Sequence, residues 1–463
     1  MVLTSPPDGT VDFDIIGVGF GPSNLALAVA LDELAEEGRA PSAVFLERQA
    51  GFGWHRGMLL DDATMQVSFL KDLVTLRNPR SRFSFLSYLH EQGRLVDFIN
   101  HKTLFPLRVE FHDYLEWTAA QVDGLVRYGH EVIGVRRVAD GDRIDRVEVL
   151  VDTGSGTTVL RARNLVLATG LQPTLPPGLV ADERIWHSRD LLHRVGALGE
   201  EQPKRFVVVG AGQSAAEVTA FLHERYADAE VFAVYSRFGY SPADDSSFAN
   251  RIFDPAAVDD FYEAPTWVKD QLLGYHANTN YSVVDSDLIA ELYRRTYRET
   301  VLGRRRLHML NVSRLVGAVS SDDGVRVTVE ALTTGEQSVL DADVLVCATG
   351  YDPVEPATLL GDLNNYCRRD AAGRLEVGRD YRVATDDALG VGIYLQGGTE
   401  HSHGISSSLL SNAAIRAAEI LDAIRERDSE PARRPRVDAA ARADAAAGAD
   451  APARVPSGTA AAG

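Results

Sequence analysis

The sequence predicts an α/β protein with two Rossmann-like dinucleotide-binding domains and a small, mostly helical insertion. Three observations predict it. Two glycine-rich loops, Gly17-Val18-Gly19-Phe20-Gly21-Pro22 and Gly210-Ala211-Gly212-Gln213-Ser214-Ala215, each follow a short apolar run and open a helical pattern. A buried-strand pattern ending in Ala-Thr-Gly occurs twice, at 164–170 and 343–350, once on each side of the second loop. The polar, aromatic stretch from Ser236 to about Val316 is too long for a plain Rossmann connection.

Asp12 to Ile16 ends in two β-branched residues and leads into the first glycine loop; Asn24 to Leu34 follows as a helix, which starts a βαβ unit. Pro22 stands where a third glycine is usual, and proline is well tolerated in a helix's first turn. Val44-Phe45-Leu46 forms the next strand and ends at Glu47. Met65 to Tyr88 is dense in polar and aromatic residues, and its alternation predicts that part of it is extended. Phe105 to Trp117 reads as a loop entering a helix.

One copy of the Ala-Thr-Gly strand would be a generic buried strand. Two copies around one Rossmann unit mark a chain that leaves a first domain, builds a second and returns. Their small residues let the backbone come close to a ligand or a neighbouring segment. Ser411 to Arg427 carries Ala414, Ala417, Ala418, Leu421 and Ile424 at helical spacing. Beyond Ser429 the Ala/Pro/Arg/Asp/Gly tail has too few large apolar groups to offset its ordering entropy. The expected division is therefore 10–170 with 350–427, 171–235 with 317–349, an insertion at 236–316, and a disordered tail at 429–463.

The residue that ends the second strand of each unit separates the two sites chemically. An acid there accepts hydrogen bonds from ribose hydroxyls, whereas an arginine suits a 2′-phosphate. Glu47 follows the first loop's strand, and Arg237 follows Val231-Phe232-Ala233-Val234 after the second. The first site reads as one for FAD and the second as one for NADPH.

Composition and missing motifs narrow the chemistry. The 463 residues carry 47 Lys+Arg against 66 Asp+Glu, and a net charge of −19 argues against nucleic acid or an anionic membrane as partner. No uninterrupted apolar run is long enough to span a membrane, and Met1 to Gly9 lacks a signal-peptide pattern, so a cytoplasmic setting is expected. The only cysteines, Cys347 and Cys367, form no Cys-x-x-Cys, which excludes a disulfide reductase. The stretch 170–205 lacks the Phe-x-Gly-x-x-x-His of Baeyer–Villiger enzymes and holds Arg184-Ile185-Trp186-His187-Ser188 instead. His401-x-His403 offers only a pair of histidines, a poor metal site, so no metal is expected.

Several further motifs carry a resemblance: Gly17 to Leu25, Met65-Gln66-Val67-Ser68-Phe69-Leu70-Lys71-Asp72-Leu73, Arg77-Asn78-Pro79, and Gly212 to Glu217. Asp244-Asp245-Ser246 to Asn250, Asn278 to Ser282, Ala348 to Tyr351, and His403 to Ser411 continue it. From about Val11 to Arg427 the chain resembles the microbial N-hydroxylating monooxygenases, specifically the L-ornithine N(5)-monooxygenases. Pro22 matches that family's pattern. The resemblance implies a cycle in which NADPH reduces FAD and the reduced flavin takes up O₂. A neutral side-chain amine then attacks the distal oxygen of the C4a-hydroperoxyflavin, and no protein acid, base or metal is required.

Residue roles are implied by the same resemblance. Gly17, Gly19, Pro22, Glu47, Trp54, His55, Gln66, Val132, Ser408, Leu409 and Leu410 would hold FAD. Gly210, Ala211, Gly212, Gln213, Ser214, Arg237, Asn280, Tyr281 and Ser282 would hold NADPH. Lys71, Asn250, Phe253, Asn280 and Ser411 would hold L-ornithine, with Lys71 on the carboxylate and Ser411 at the side-chain amine. Met65 is either a gate beside the flavin or a core residue. The resemblance further implies a homodimer or homotetramer. Two rivals stay open: an L-lysine N(6)-monooxygenase, whose substrate is one methylene longer, and a non-catalytic redox-sensing dinucleotide-binding protein.

Overall fold

The computed structural model describes residues 11–138, 143–200 and 202–429; the tail expected to be disordered lies outside them apart from Ser429. Strand β1 (Asp12–Val18) enters the first glycine loop, helix α1 (Pro22–Glu36) leaves it, and β2 (Ala43–Glu47) completes the βαβ unit. Three helices follow: α2 (Phe85–Glu91), α3 (Leu95–His101) and α4 (Arg108–Gln121). Strands β3 (Val126–Tyr128), β4 (Glu131–Arg137), β5 (Val147–Asp152) and β6 (Thr157–Leu167) close the first unit, and β7 (Leu171–Pro173) leads out of it.

The second unit contains β8 (Ile185–His187), α5 (Leu191–Ala197), β9 (Arg205–Val209), α6 (Gln213–Arg225) and β10 (Glu230–Val234). Helices α7 (Pro255–Glu263), α8 (Thr266–His276) and α9 (Ser286–Leu302) come next, then β11 (Leu307–Leu310), β12 (Ser313–Ser321), β13 (Gly324–Ala331), β14 (Gln337–Ala342) and β15 (Val344–Cys347). Finally β16 (Tyr351–Pro353), α10 (Ala357–Leu360), β17 (Gly392–Leu395), α11 (Glu400–His403) and α12 (Ala413–Ser429) return to the first unit.

The first sheet runs β3-β2-β1-β6-β5-β4, with β17 also paired to β6. The second runs β11-β10-β9-β15-β8 and is parallel throughout. One Ala-Thr-Gly segment directly follows β6 of the first sheet, and the other directly follows β15 of the second. The outgoing and returning strands, β7 and β16, pair antiparallel, Leu171 opposite Pro353 and Pro173 opposite Tyr351. Both crossings thus lie side by side.

Helix α1 shows why the first unit is rigid. Leu25 through Leu31 are buried without a break, because the helix is covered on one side by the sheet and on another by α12. Ala417, Ile420, Leu421 and Ile424 of α12 share its core with Phe85, Phe111 and Tyr114. At about 25 cal/mol per Å² of apolar surface, each such large side chain contributes roughly 1.5–3 kcal/mol.

Two expectations change. The stretch 65–84 holds no strand: it is a run of turns with a short 3₁₀ segment at Phe69–Lys71, and α2 begins at Phe85. Its apolar residues alternate because they dip into the aromatic core from an irregular loop, not because they line a pleated face. The polar stretch from Ser236 opens irregularly and is mostly helical from α7 through α9, but β11 rejoins the second sheet beside β10. Helix α9 packs on α6, so the last third of the stretch completes the parallel sheet.

Candidate functional site

Both glycine loops are shaped by the same contact. A Cβ on Gly19 (φ +83°) would lie 2.5 Å from the carbonyl oxygen of Ala168; one on Gly210 (φ +147°) would lie 2.4 Å from that of Ala348. The repeated Ala-Thr-Gly segments are therefore the floors against which the loops turn. Gly17 has a separate reason, since a Cβ there would meet the Phe45 ring at 2.2 Å. Helices α1 and α6 each begin after a glycine N-cap, with no side-chain cap and no acid in the first turn. Their N–H groups and dipoles are free to receive an anion, which fits a pyrophosphate at each loop.

Glu47 is 6% exposed at the end of β2. Its two carboxylate oxygens accept from the backbone N–H of Phe20 at 2.7 Å and of Gln49 at 2.9 Å. These bonds fix the carboxylate and leave lone pairs for ribose hydroxyls.

A cleft of about 1900 Å³ spans the units. Its wall includes Gly19, Pro22, Glu47, Trp54, His55, Met65, Gln66, Val132, Ser408, Leu409 and Leu410 from the first unit. Gln213 and Ser214 come from the second, and Lys71, Asn250, Phe253, Asn280 and Ser411 join them. Gly17, Gly210, Ala211, Gly212, Arg237, Tyr281 and Ser282 lie off that wall. Arg237 is exposed and donates to the Ser282 carbonyl at 2.9 Å, which ties the end of β10 to the loop carrying Asn280. The Tyr281 hydroxyl donates to Glu400 at the start of α11.

The loop that presents Lys71 is held by its neighbour. Asp72, 4% exposed, accepts from the backbone N–H of Val74 (3.0 Å), Thr75 (2.6 Å) and Phe85 (2.8 Å) and from the Thr75 hydroxyl (2.9 Å). Lys71 then projects over the Phe253 ring, its Nζ 5.5 Å from the centroid. Burial pushes its ammonium below the usual lysine range, opposed by Asp254. A half-buried cation facing an open cleft is arranged for an anionic ligand. The Asn250 amide donates to the Asp245 carbonyl at 2.6 Å, leaving its oxygen to accept.

His55 has left-handed backbone (φ 52°) and lies edge-on to Trp54, ring centroids 4.6 Å apart. Its side chain is exposed to the cleft space but sits deep between the cleft walls; desolvation, with Arg108 and His112, pushes its pKa down to about 4. The imidazole is neutral at physiological pH. Met65 is 5% exposed and packs in the first unit's core while also touching the cleft. His401 and His403 each place a ring nitrogen against a backbone carbonyl, of Leu375 (2.9 Å) and Arg379 (3.2 Å).

Sequence reasoning missed the residues that hold this wall. Asn412, 2% exposed, donates to the carbonyls of Phe253 (3.3 Å) and Ser411 (3.2 Å) and accepts from the Ser406 hydroxyl (3.0 Å). It joins the Phe253 turn to the start of α12. Arg416, 1% exposed, donates to the Ser407 carbonyl (2.7 Å) and the Ser23 hydroxyl (3.2 Å), linking the segment before Ser408 to the first turn of α1. Both sit in a helical pattern where a polar residue is expected to face solvent, and only the long-range hydrogen bonds reveal them.

Comparison with known proteins agrees with this geometry. The model of the L-lysine 6-monooxygenase/L-ornithine 5-monooxygenase family matches residues 11–353. The L-ornithine N(5)-monooxygenase of Burkholderia cepacia is 43% identical, over 85% of this chain and 90% of its own. That of Pseudomonas aeruginosa is 38% identical, over 90% and 95%. Among solved structures, the ornithine N-hydroxylase of Kutzneria sp. 744, with reduced FAD, NADP⁺ and L-ornithine, superposes with a TM-score of 0.88 at 51% identity, covering 90% of this chain and 100% of that one. The chain belongs to the L-lysine 6-monooxygenase/L-ornithine 5-monooxygenase family.

Proposed function

We propose that this protein hydroxylates the side-chain amine of L-ornithine, using FAD, NADPH and O₂, and yields N(5)-hydroxy-L-ornithine for hydroxamate siderophores or related products. The observation that carries the reading is the meeting of Lys71, Asn250, Asn280 and Ser411 in one cleft with the first glycine loop and with Gln213 and Ser214, which directly follow the second. When bound, the two cofactors supply the reducing equivalents and the activated oxygen.

The chain's own residues bind and orient the amino acid. Lys71 pairs with the α-carboxylate, and the amides of Asn250 and Asn280 offer donors and acceptors to its zwitterionic head. Ser411, 7% exposed, faces the side-chain amine. A neutral hydroxyl does not favour the ammonium form as a carboxylate would, and the amine must be neutral to attack. Phe253, Met65 and Leu410 give the cleft apolar wall that helps to exclude water.

Ornithine is favoured over lysine because the relatives at 38–43% identity and the 51% identical structure carry the ornithine activity in their names. One methylene in a pocket is worth only ~1–3 kcal/mol, so the deciding experiment offers ornithine, lysine and shorter diamines side by side. Hydroxylamine formed with lysine alone overturns the substrate assignment. Peroxide as the sole product with every amine favours the redox-sensor reading. The exposed stripe Tyr293, Tyr297 and Val301 on α9 supports assembly into a homodimer or homotetramer; a monomer in light scattering at micromolar concentration overturns that.

A further inference from the structure

The two units are joined by a buried ion pair that neither glycine loop requires. Arg108, the first residue of α4, donates to Glu217 of α6 through both terminal nitrogens, at 2.9 and 2.6 Å. The side chains are 12% and 5% exposed. The same guanidinium donates to the carbonyls of Met58 (3.0 Å) and Thr64 (3.4 Å), and Met58 packs in the second unit's core. One oxygen of Glu217 also accepts from the Gln213 amide at 3.0 Å, and the Gln213 oxygen accepts from the backbone N–H of Asp285 at 2.8 Å. Asp285 caps α9, a few residues after Asn280. Arg108, Gln213 and Asp285 all reach the cleft wall.

This network runs from the first unit, through the opening turn of α6, to the segment that presents Asn280. Gln213 is the first residue of α6, immediately after the second glycine loop. Its amide nitrogen donates to Glu217 one turn further along α6, and its oxygen accepts from the Asp285 N–H of the neighbouring segment, so both ends are held. Released from Glu217, the amide is free to turn across the N–H groups that face an incoming pyrophosphate.

We infer that Arg108 and Glu217 form a positioning pair: they fix Gln213 and the seating of α6 on the first unit, and so set how the nicotinamide dinucleotide engages and approaches the flavin. The inference rests on the FAD and NADPH reading of the two loops. It assigns neither residue a contact with the reacting atoms.

The test uses FAD-loaded, full-length protein and NADP⁺ or NADPH as probe. Glu217→Gln keeps the shape of the side chain but removes the charge opposite Arg108. NADP⁺ affinity, the rate of anaerobic flavin reduction by NADPH, flavin content and thermal unfolding are measured together. A loss of roughly tenfold or more is expected in both affinity and reduction rate, the scale of one missing charge-assisted hydrogen bond, with flavin content retained. Arg108→Lys, which keeps the charge but not the fork, falls in between.

Glu148→Gln is the control. It breaks a comparably buried pair with Arg136 and Arg161 inside the first sheet, so it lowers the unfolding temperature and leaves NADP⁺ affinity unchanged. A Glu217→Gln protein that unfolds earlier but binds NADP⁺ and reduces flavin within twofold of wild type overturns the inference. If that variant does not fold, wild-type affinity and reduction rate in Arg108→Lys overturn it equally. No amine enters the reduction half-reaction, so failure of the wild type to hydroxylate ornithine would sink the functional reading without touching this result.

Discussion

Replacing Lys71 by methionine keeps most of the side chain's length and removes its charge, which isolates what the ammonium does for the substrate. Its Nζ lies 5.5 Å from the Phe253 ring centroid, and Asp254 is the nearby charge acting on it. A charge-assisted bond from this group to a carboxylate is worth about 1.5–3 kcal/mol. At ~1.4 kcal/mol per factor of ten, the KM for ornithine should rise about 10- to 150-fold. The cation–π attraction to Phe253, worth ~0.5–1 kcal/mol, disappears with the ammonium and is largely replaced by a sulfur–aromatic one.

Burial already disfavours the ammonium when no carboxylate faces it, so the variant should unfold at the same temperature as wild type or slightly higher. The assay follows NADPH-dependent product formation against ornithine concentration, with flavin content measured on the same samples. A KM within threefold of wild type, or a variant purified without flavin, would refute the assignment of Lys71 to the substrate carboxylate.

The remaining predictions separate the sites from one another. Gly19→Ala drives a Cβ into the Ala168 carbonyl and should give flavin-free protein, whereas Gly210→Ala meets the Ala348 carbonyl and should keep FAD but lose NADP⁺ binding; flavin absorbance and NADP⁺ titration distinguish them. Asn412→Ala leaves the Phe253 and Ser411 carbonyls without their donor, at about 1–3 kcal/mol per buried orphan. Ornithine KM should rise several-fold while NADP⁺ affinity holds. The pH prediction concerns His403, 1% exposed, whose pKa is held down from 6.5 to about 4 chiefly by burial. Between those values only the unfolded chain takes up the proton. Stability should therefore fall as pH drops from 6.5 towards 4, by at most roughly 3–4 kcal/mol at 1.36 kcal/mol per pKa unit. Urea unfolding of His403→Gln across that range should show a shallower decline than wild type.

What could be read from the chain depended on whether the signal was local. Gly19 and Gly210 announce their loops because left-handed backbone and close approach leave only glycine, and Glu47 and Arg237 follow at the ends of short apolar strands. The twin Ala-Thr-Gly segments were legible as domain crossings, but their second role, as the carbonyl floors beneath the glycines, depends on strands that meet only in the fold. Lys71, Asn250, Asn280 and Ser411 lie far apart in sequence and came together through a resemblance, not through any pattern of their own.

The alternation in 65–84 misled because an irregular loop that dips repeatedly into an aromatic core has the same period as a strand. Arg108–Glu217 and Asn412 left no local signature at all: a bidentate pair 109 residues apart and an asparagine before a helix look like solvent-facing groups until the fold buries them. The loop end at Arg237 shows the converse case. Its charge was legible, but its hold on the Ser282 carbonyl was not.

Product analysis decides whether the protein hydroxylates the side-chain amine of L-ornithine. Purified protein with FAD, NADPH and air is given L-ornithine and, separately, L-lysine, and the amino acid recovered is examined by mass spectrometry alongside NADPH consumption. An ornithine product heavier by one oxygen atom, placed on the side-chain nitrogen, is expected in near-stoichiometric yield against NADPH, with little product from lysine. NADPH consumed with unchanged ornithine and accumulating peroxide, or hydroxylation of lysine alone, would contradict it.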